Sequence, residues 1–389
     1  MTAEPWTLVA DQAGLAHASE QIVRGEGPLG VDTERASGYR YSNRAYLVQV
    51  FRRGAGTFLF DPTGIDSFEP LAEALHDDEW VLHAADQDLP SLREIGLEPS
   101  RLFDTELGSR LLGLERVGLG YVTSELLDVS LEKAHSAADW STRPLPDPWL
   151  EYAALDVALL PDLRDAVEGE LEAQGKLDFA LEEFAAVLQR EPKPKPSEPW
   201  RKVAGNRLRS PRQLAMVREL WTARDELAQQ TDVAPGRLIP DASIVVAVLA
   251  NPRSAGELAS LKTFRGRASR SELTRWWKAL LKGKTTDDLP GPAVRNPDAI
   301  PNHRGWSQRF PDAAERLALL RAAVQEEAAR LNMPSENLLS PAILRELAWA
   351  PVSDGSPEAI SGRLAELGAR PWQVGIVTPI LGAVFVANS

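Results

Sequence analysis

Two hydrophobic periods divide the chain. In the first hundred or so residues, short runs of branched and aromatic residues recur between turn residues, which is a strand signature. GPLGVDTE (27–34) reads as one strand, and RAYLVQVFRRGAGTFLFDP (44–62) as a hairpin. The hairpin's two runs are joined at Gly54-Ala55-Gly56 and closed by a turn at Asp61-Pro62. EWVLHAA (79–85) reads as a buried strand. Between these, apolar residues take helical spacing: SFEPLAEALHD (67–77), with Ser67 as its cap, and QDLPSLREIG (87–96), stopped by Gly96. Helical spacing then continues at 104–113, at 121–128 and in one long stretch from about Pro148 to Gln189. Strands in succession, then strands alternating with helices, predict a mixed sheet flanked by helices over residues 1–190.

REPKPKPSEPW (190–200) interrupts both periods and marks a linker over 191–207. An all-α module follows over 208–283. Its first helix, SPRQLAMVRELWTARDELAQQTD, opens with Ser210 as cap and proline at the first helical position. A second linker rich in proline, glycine and aspartate covers 284–308. Residues 309–389 then repeat the order of long helix, apolar turn and short helix, as a diverged copy of the first module would.

Composition narrows the chemistry. The 389 residues contain no cysteine, which excludes disulfides, thiolate catalysis and cysteine-based zinc sites. The five histidines are scattered without zinc spacing. No apolar run reaches the roughly 18 residues of a membrane span. MTAEPWTLVA has no basic n-region or cleavable apolar core, so the expected location is cytoplasmic. The net charge of −13 is unevenly spread. Residues 1–190 hold 35 acidic and 15 basic groups, and residues 191–389 hold 21 and 28. Within 201–282 the basic excess is 16 to 7. An acidic half and a basic half do different electrostatic work.

The acidic half holds the candidate chemistry. Asp32 and Glu34 lie two apart on a strand, so they share one face and repel. Asp86 and Asp88 lie where a strand passes into a helix, a usual place for sites in α/β sheets. Tyr152 and Asp156 stand four apart on an otherwise Ala- and Leu-rich helix. Carboxylates so gathered suit a hard divalent cation such as Mg²⁺ or Mn²⁺. A pair of such ions suits phosphoryl displacement.

These motifs, in this order, resemble the ribonuclease D family of DEDDy 3′→5′ exonucleases, of ribonuclease H-like fold. VDTE supplies Asp32 and Glu34, LHAADQDLPSL supplies His83, Asp88 and Leu92, and YAALD supplies Tyr152 and Asp156. On that spacing Asp86 is a bystander. FDTELGSRLLG, RVGLGYV and DWSTRPL extend the resemblance over roughly 5–188, and the tail resembles one HRDC domain followed by a second, diverged one. The resemblance implies two divalent ions, with Asp32 bridging both. Glu34 and Asp156 would hold the ion that carries the attacking water, Asp88 would support the second, and Tyr152 would position the nucleophile.

For the basic half, Lys262, Arg265, Arg267, Arg270, Arg275 and Lys278 are interleaved with Phe264, Trp276 and Trp277. Cations among aromatics suit phosphate contact and base stacking. At least one tryptophan is expected in the module's core. Lys133 and Arg143 are further candidates for substrate phosphates. The alternative for Arg143 is that it locks a loop with Asp139 and Trp140. Two other motifs are set aside. GEGPLG (25–30) precedes a strand, and KGKT lacks the glycine of a phosphate loop. The expectation is a metal-dependent exoribonuclease trimming RNA 3′ ends, tRNA precursors among them, and a monomer. The rivals are a DNA 3′→5′ exonuclease acting on single-stranded DNA, and a nucleic-acid-binding adaptor with an inactive nuclease fold.

Overall fold

A computed structural model describes residues 5–131, 135, 137–192, 194, 196–292, 299–352 and 355–387. The first domain runs β1 (Trp6–Val9), α1 (Gln12–Val23), β2 (Glu26–Arg35), β3 (Ala45–Arg53), β4 (Gly56–Phe60), α2 (Glu69–Ala74), β5 (Glu79–Leu82), α3 (Leu89–Arg93) and β6 (Arg101–Asp104). Five helices complete it: α4 (Thr105–Leu111), α5 (Leu119–Leu127), α6 (Asp147–Ala158), α7 (Leu160–Ala173) and α8 (Leu177–Leu188). The strands form one sheet in the order β1-β4-β3-β2-β5-β6. β3 is antiparallel to β2 and β4, whereas β2, β5 and β6 are parallel to one another. Helices cover both faces, so β3 is buried from Ala45 to Arg52 and shows no in-out alternation.

The predicted hairpin is β3–β4, and the four sequence-predicted strands are present as β2 to β5. β1, α1 and β6 are additions; β1 and β6 have four residues each. The long helical stretch is three helices. Pro161 lacks the N–H needed to continue the ladder of α6, and Gly175 ends the next segment at φ +64°. Ser67 does not cap α2; the N-cap residue is Phe68, and Ser67 Oγ accepts from Glu69 N instead.

The central helical module contains α9 (Arg201–Ala204), α10 (Pro211–Thr231), α11 (Pro235–Leu238), α12 (Asp241–Ala250), α13 (Ala255–Ser260), α14 (Arg267–Ser271) and α15 (Leu273–Thr285). Ser210 and Gln213 form a capping box on α10, with Pro211 at the first helical position. Leu220, Ile244, Phe264 and Trp276 fill the core. Trp200, from the predicted linker, joins them.

The last module contains α16 (Trp306–Arg309), α17 (Pro311–Arg330), α18 (Ser335–Leu338), α19 (Pro341–Trp349), α20 (Pro357–Glu366) and α21 (Pro371–Ala387). Its order of a 20-residue helix, a four-residue turn of helix and further short helices parallels the central module, whose long helix has 21 residues. It does not stand apart as that module does. Leu317, Leu347 and Trp372 share a continuous core with Phe103, Leu160 and Phe184 of the first domain. Trp372 stacks on Phe179 at 4.7 Å, and Lys176 Nζ donates to the carbonyls of Leu111 and Asn332.

Candidate active site

β2 runs through the centre of the sheet and alternates as a strand must. Leu29 and Val31 pack into the core beneath α1, so Asp32 and Glu34 face the opposite side, towards α6. α6 approaches closely because residue 30 is glycine. A Cβ there would lie 2.5 Å from the Val157 carbonyl oxygen. That approach brings Asp156 to the pair: one oxygen from each of Asp32, Glu34 and Asp156 lies within 4.8 Å of the others. Among the described residues this is the one group of three acids or histidines so arranged. Tyr152, one turn earlier on α6, directs its hydroxyl at Asp156.

The gathered charge shows in the proton affinities. Burial pushes the Asp32 carboxyl up to about 6. Burial, then the charges of Asp32, Asp156 and Asp88, push Glu34 up to about 10. Burial and the Asp32 charge raise Asp156 to about 7. Burial and the Asp156 carboxylate hold the Tyr152 phenol above its ordinary range. Without added cations the site therefore retains protons at neutral pH. Three hard oxygen donors with a deficit of positive charge fit a divalent cation of the Mg²⁺ class.

Asp88 completes the four acids from the turn after β5. It is buried, and burial with the Asp32 charge raises its proton affinity well above the usual carboxylate range. Thr33 Oγ1 donates to its Oδ1 at 3.2 Å, and Arg35 Nη2 lies 3.4 Å from the same oxygen. The turn is held by Asp104, which accepts from Ala84 N at 3.1 Å and Ala85 N at 2.9 Å while capping α4. His83 is half-buried, its Nδ1 2.9 Å from Thr105 Oγ1, and burial lowers its proton affinity to about 4. Asp86 points away, 3.7 Å from Arg190.

A family model described as a 3′-5′ exonuclease matches residues 7–172. An HRDC domain model matches 213–280, and a model of a 3′ to 5′ exonuclease C-terminal domain matches 299–385. Ribonuclease D of Pseudomonas paraeruginosa is 31% identical over 360 residues, 89% of this chain and 90% of that one. The chain belongs to the ribonuclease D family. Ribonuclease D of Escherichia coli is 31% identical over 310 residues, covering 77% of this chain and 80% of that one. Among solved structures, a protein from Bifidobacterium adolescentis is 35% identical, with a TM-score of 0.89 over 99% of this chain and 98% of that chain. The Escherichia coli enzyme, described as an exoribonuclease involved in structured RNA processing, shares the fold: 24% identity, TM-score 0.69, 99% of both chains. The ribonuclease H-like exonuclease domain and the helical modules read from sequence are thus those of ribonuclease D. No helix among the described residues is long and apolar enough to cross a membrane.

The candidate phosphate contacts of this ribonuclease D family member divide sharply. Arg143 is corrected from substrate contact to lock. Its Nε and Nη2 hold Asp61 at 2.6 and 2.7 Å, and its other N–H groups reach the carbonyls of Trp140, Thr142 and Tyr46. All five guanidinium donors are engaged within the protein. Lys133 lies outside the described residues. Lys262, Arg265, Arg267, Arg270 and Lys278 are exposed, with no ion-pair partner among the described residues. Arg275 pairs with Glu272 at 2.9 Å. Phe264 and Trp276 are core residues, and Trp277 is half-buried beneath Lys284, so the expected interleaved aromatics serve packing. Sequence reasoning did not single out Arg35, Trp149 or Asp232. Trp149 packs 5.3 Å from Trp140 and 5.9 Å from His135, beside Tyr152. Asp232 joins the HRDC module to the exonuclease domain: its carboxylate accepts from Tyr41 N, Ser42 N and the Tyr46 hydroxyl at 2.9–3.1 Å. Only its position at the end of α10 is visible in the sequence.

Proposed function

We propose that the chain is a metal-dependent 3′→5′ exoribonuclease, hydrolysing phosphodiester bonds at RNA 3′ ends. The observation that carries this is the convergence of Asp32, Glu34 and Asp156 beneath Tyr152, in a chain related to ribonuclease D over most of its length. Asp32, Glu34 and Asp156 would hold one divalent ion, with Asp32 and Asp88 serving a second. Bound there, the ions supply the positive charge that makes water acidic and stabilises the phosphoryl oxygens.

The remaining work falls to the chain itself. Tyr152, whose hydroxyl is directed at Asp156, would position the attacking water beside the carboxylates. Burial of the carboxylates keeps bulk water from screening the site. The aromatic surface of Trp149, His135 and Tyr152 lies beside the carboxylates and suits stacking of a terminal base. The exposed cations of Lys262, Arg265, Arg267 and Arg270 would retain the RNA body, since the acidic first half repels a polyanion. Precursor tRNAs are the substrates of choice for this reading: a folded body to grip and a single-stranded 3′ end to trim.

The test is 3′ trimming of 5′-labelled RNA and matched DNA with Mn²⁺, Mg²⁺ or chelator. Asp156→Asn is expected to lower the RNA rate by at least about a thousandfold, comparable to loss of other groups essential to a chemical step. A ladder on RNA that survives chelation, or that Asp156→Asn leaves intact, would refute the proposal. A ladder on DNA alone would leave the chemistry and overturn the substrate.

A further inference from the structure

Asp32 and Glu34 leave one face of β2, and Thr33 and Arg35 leave the other. Both residues of that second face reach a single oxygen, Oδ1 of Asp88. Arg35 does so at a break in register. Glu34 lies opposite Leu47 on β3, but Arg35 lies opposite Ala45, so Tyr46 has no counterpart. A bulge of this kind turns the side chain beside it. The turned guanidinium also donates from Nη1 to the carbonyl of Gln87, which ties the end of β2 to the turn that carries Asp88. Arg35 is the cation whose charge acts on Asp32, Glu34 and Asp88 alike. Its side chain is 27% exposed, against 8% for Asp88, so the pair sits at the edge of the site and not in open solvent.

We propose that Arg35 is a built-in counter-ion of the carboxylate site, a positioning residue that acts through Asp88. It occupies the Asp88 side of the cluster and offsets the charge that a second divalent ion would otherwise neutralise. The Asp32–Glu34–Asp156 group is left as the stronger cation site, and the Asp88 side as the weaker. The inference rests on the metal-site reading given above. It goes further in assigning part of the site's positive charge to the protein.

The test compares wild type, Arg35→Gln and Arg35→Lys in melting and in Mn²⁺ binding, the latter followed by electron paramagnetic resonance of the free ion. Arg35→Gln is expected to melt lower than wild type in chelator and to recover most of that loss in Mn²⁺. It is also expected to bind Mn²⁺ roughly tenfold more tightly, the order expected on removing one nearby positive charge from a half-buried site. Arg35→Lys, which keeps the charge, is expected to bind Mn²⁺ as wild type does. If Arg35→Gln melts lower by the same amount with and without Mn²⁺, and its Mn²⁺ affinity is unchanged, Arg35 is a structural tie and the inference is overturned. Should Arg35→Gln fail to fold, the Asp88→Asn/Arg35→Gln double variant replaces it. That variant is expected to fold, and its failure to do so also overturns the inference. Wild type that binds no Mn²⁺ removes the metal-site reading and this inference together. Wild type that binds while Arg35→Gln leaves affinity unchanged removes the inference alone.

Discussion

At the scale of single residues, the site is a set of carboxyls whose proton affinity is raised first by burial and, at Glu34, Asp88 and Asp156, also by their neighbours' charges. Asp32 and Asp156 have proton affinities raised to about 6 and about 7, against 3.8 in an unperturbed aspartate. A carboxyl whose folded value is raised contributes stability that is complete at low pH and is lost as pH rises through the folded value. In chelator, the melting temperature is therefore expected to fall by several degrees between about pH 5 and about pH 8, since a tenfold change in proton affinity is worth ~1.4 kcal/mol. Millimolar Mg²⁺ or Mn²⁺ should raise it much more at the upper pH than at the lower. Asp32→Asn should flatten both effects. Melting curves in chelator that do not change with pH would show that the carboxyls are not held at raised proton affinity. Asp32, Glu34, Tyr152 and Asp156 were legible in sequence because their spacing is local to one strand and one helix, whereas Asp88 was chosen over Asp86 on the family resemblance. Arg35 was not legible, because its significance lies in a bulge and in a contact with a residue 53 positions away.

Elements decide whether those residues meet. The approach of α6 to β2 depends on Gly30, since any Cβ would press on the Val157 carbonyl at 2.5 Å, with Leu160 and Pro161 close behind. A helix backbone cannot give way there without carrying Asp156 with it. Gly30→Ala is expected to cost about 2 kcal/mol in a denaturant titration, the usual range for overpacking. Trimming should slow by at least about tenfold although every acid remains in place. Unchanged rate with lowered stability would mean that α6 absorbs the shift beyond Asp156. The strand and hairpin pattern was readable because branched and aromatic runs are bounded by glycine and proline. β1 and β6 were not. The single long helix of the pattern became three because Pro161 and Gly175 act on the backbone, while the apolar spacing runs on through them.

At the scale of the molecule, the modules are fastened to the site from two sides. The HRDC module holds the segment between β2 and β3, which begins directly after Glu34 and Arg35. Asp232 accepts three hydrogen bonds from that segment and from Tyr46, and Ala234 N donates to Tyr39 O at 2.9 Å. Arg237 lies 3.9 Å over the Tyr39 ring. Asp232→Ala should weaken this fastening by about 2 kcal/mol, as expected for charge-assisted bonds. The check is hydrogen exchange: the amides of Tyr41 and Ser42 should lose protection while those of β5 and β6 keep it. Equal protection in the variant would show that the remaining contacts suffice. The C-terminal module is joined more deeply, through the core shared by Phe184, Leu317 and Trp372. The sequence showed its helical plan but not this junction, because helical spacing marks which face is apolar and not what that face meets.

By itself the sequence determined the element types, the three-part layout, the four acids with their tyrosine, and the division into acidic and basic halves. Apart from the choice of Asp88 over Asp86, which the family resemblance implied, each of these is written in spacing or composition, which are properties of neighbours along the chain. Tertiary structure alone decided which groups are neighbours in space. It placed Asp156 against Asp32 across Gly30, engaged Arg143 within a loop instead of with substrate, and turned Arg35 onto Asp88. It also merged the last module's core with the first domain. Burial then set the chemistry, because the energy of a charge depends on the solvent it has lost and the charges it has gained, and neither is encoded locally.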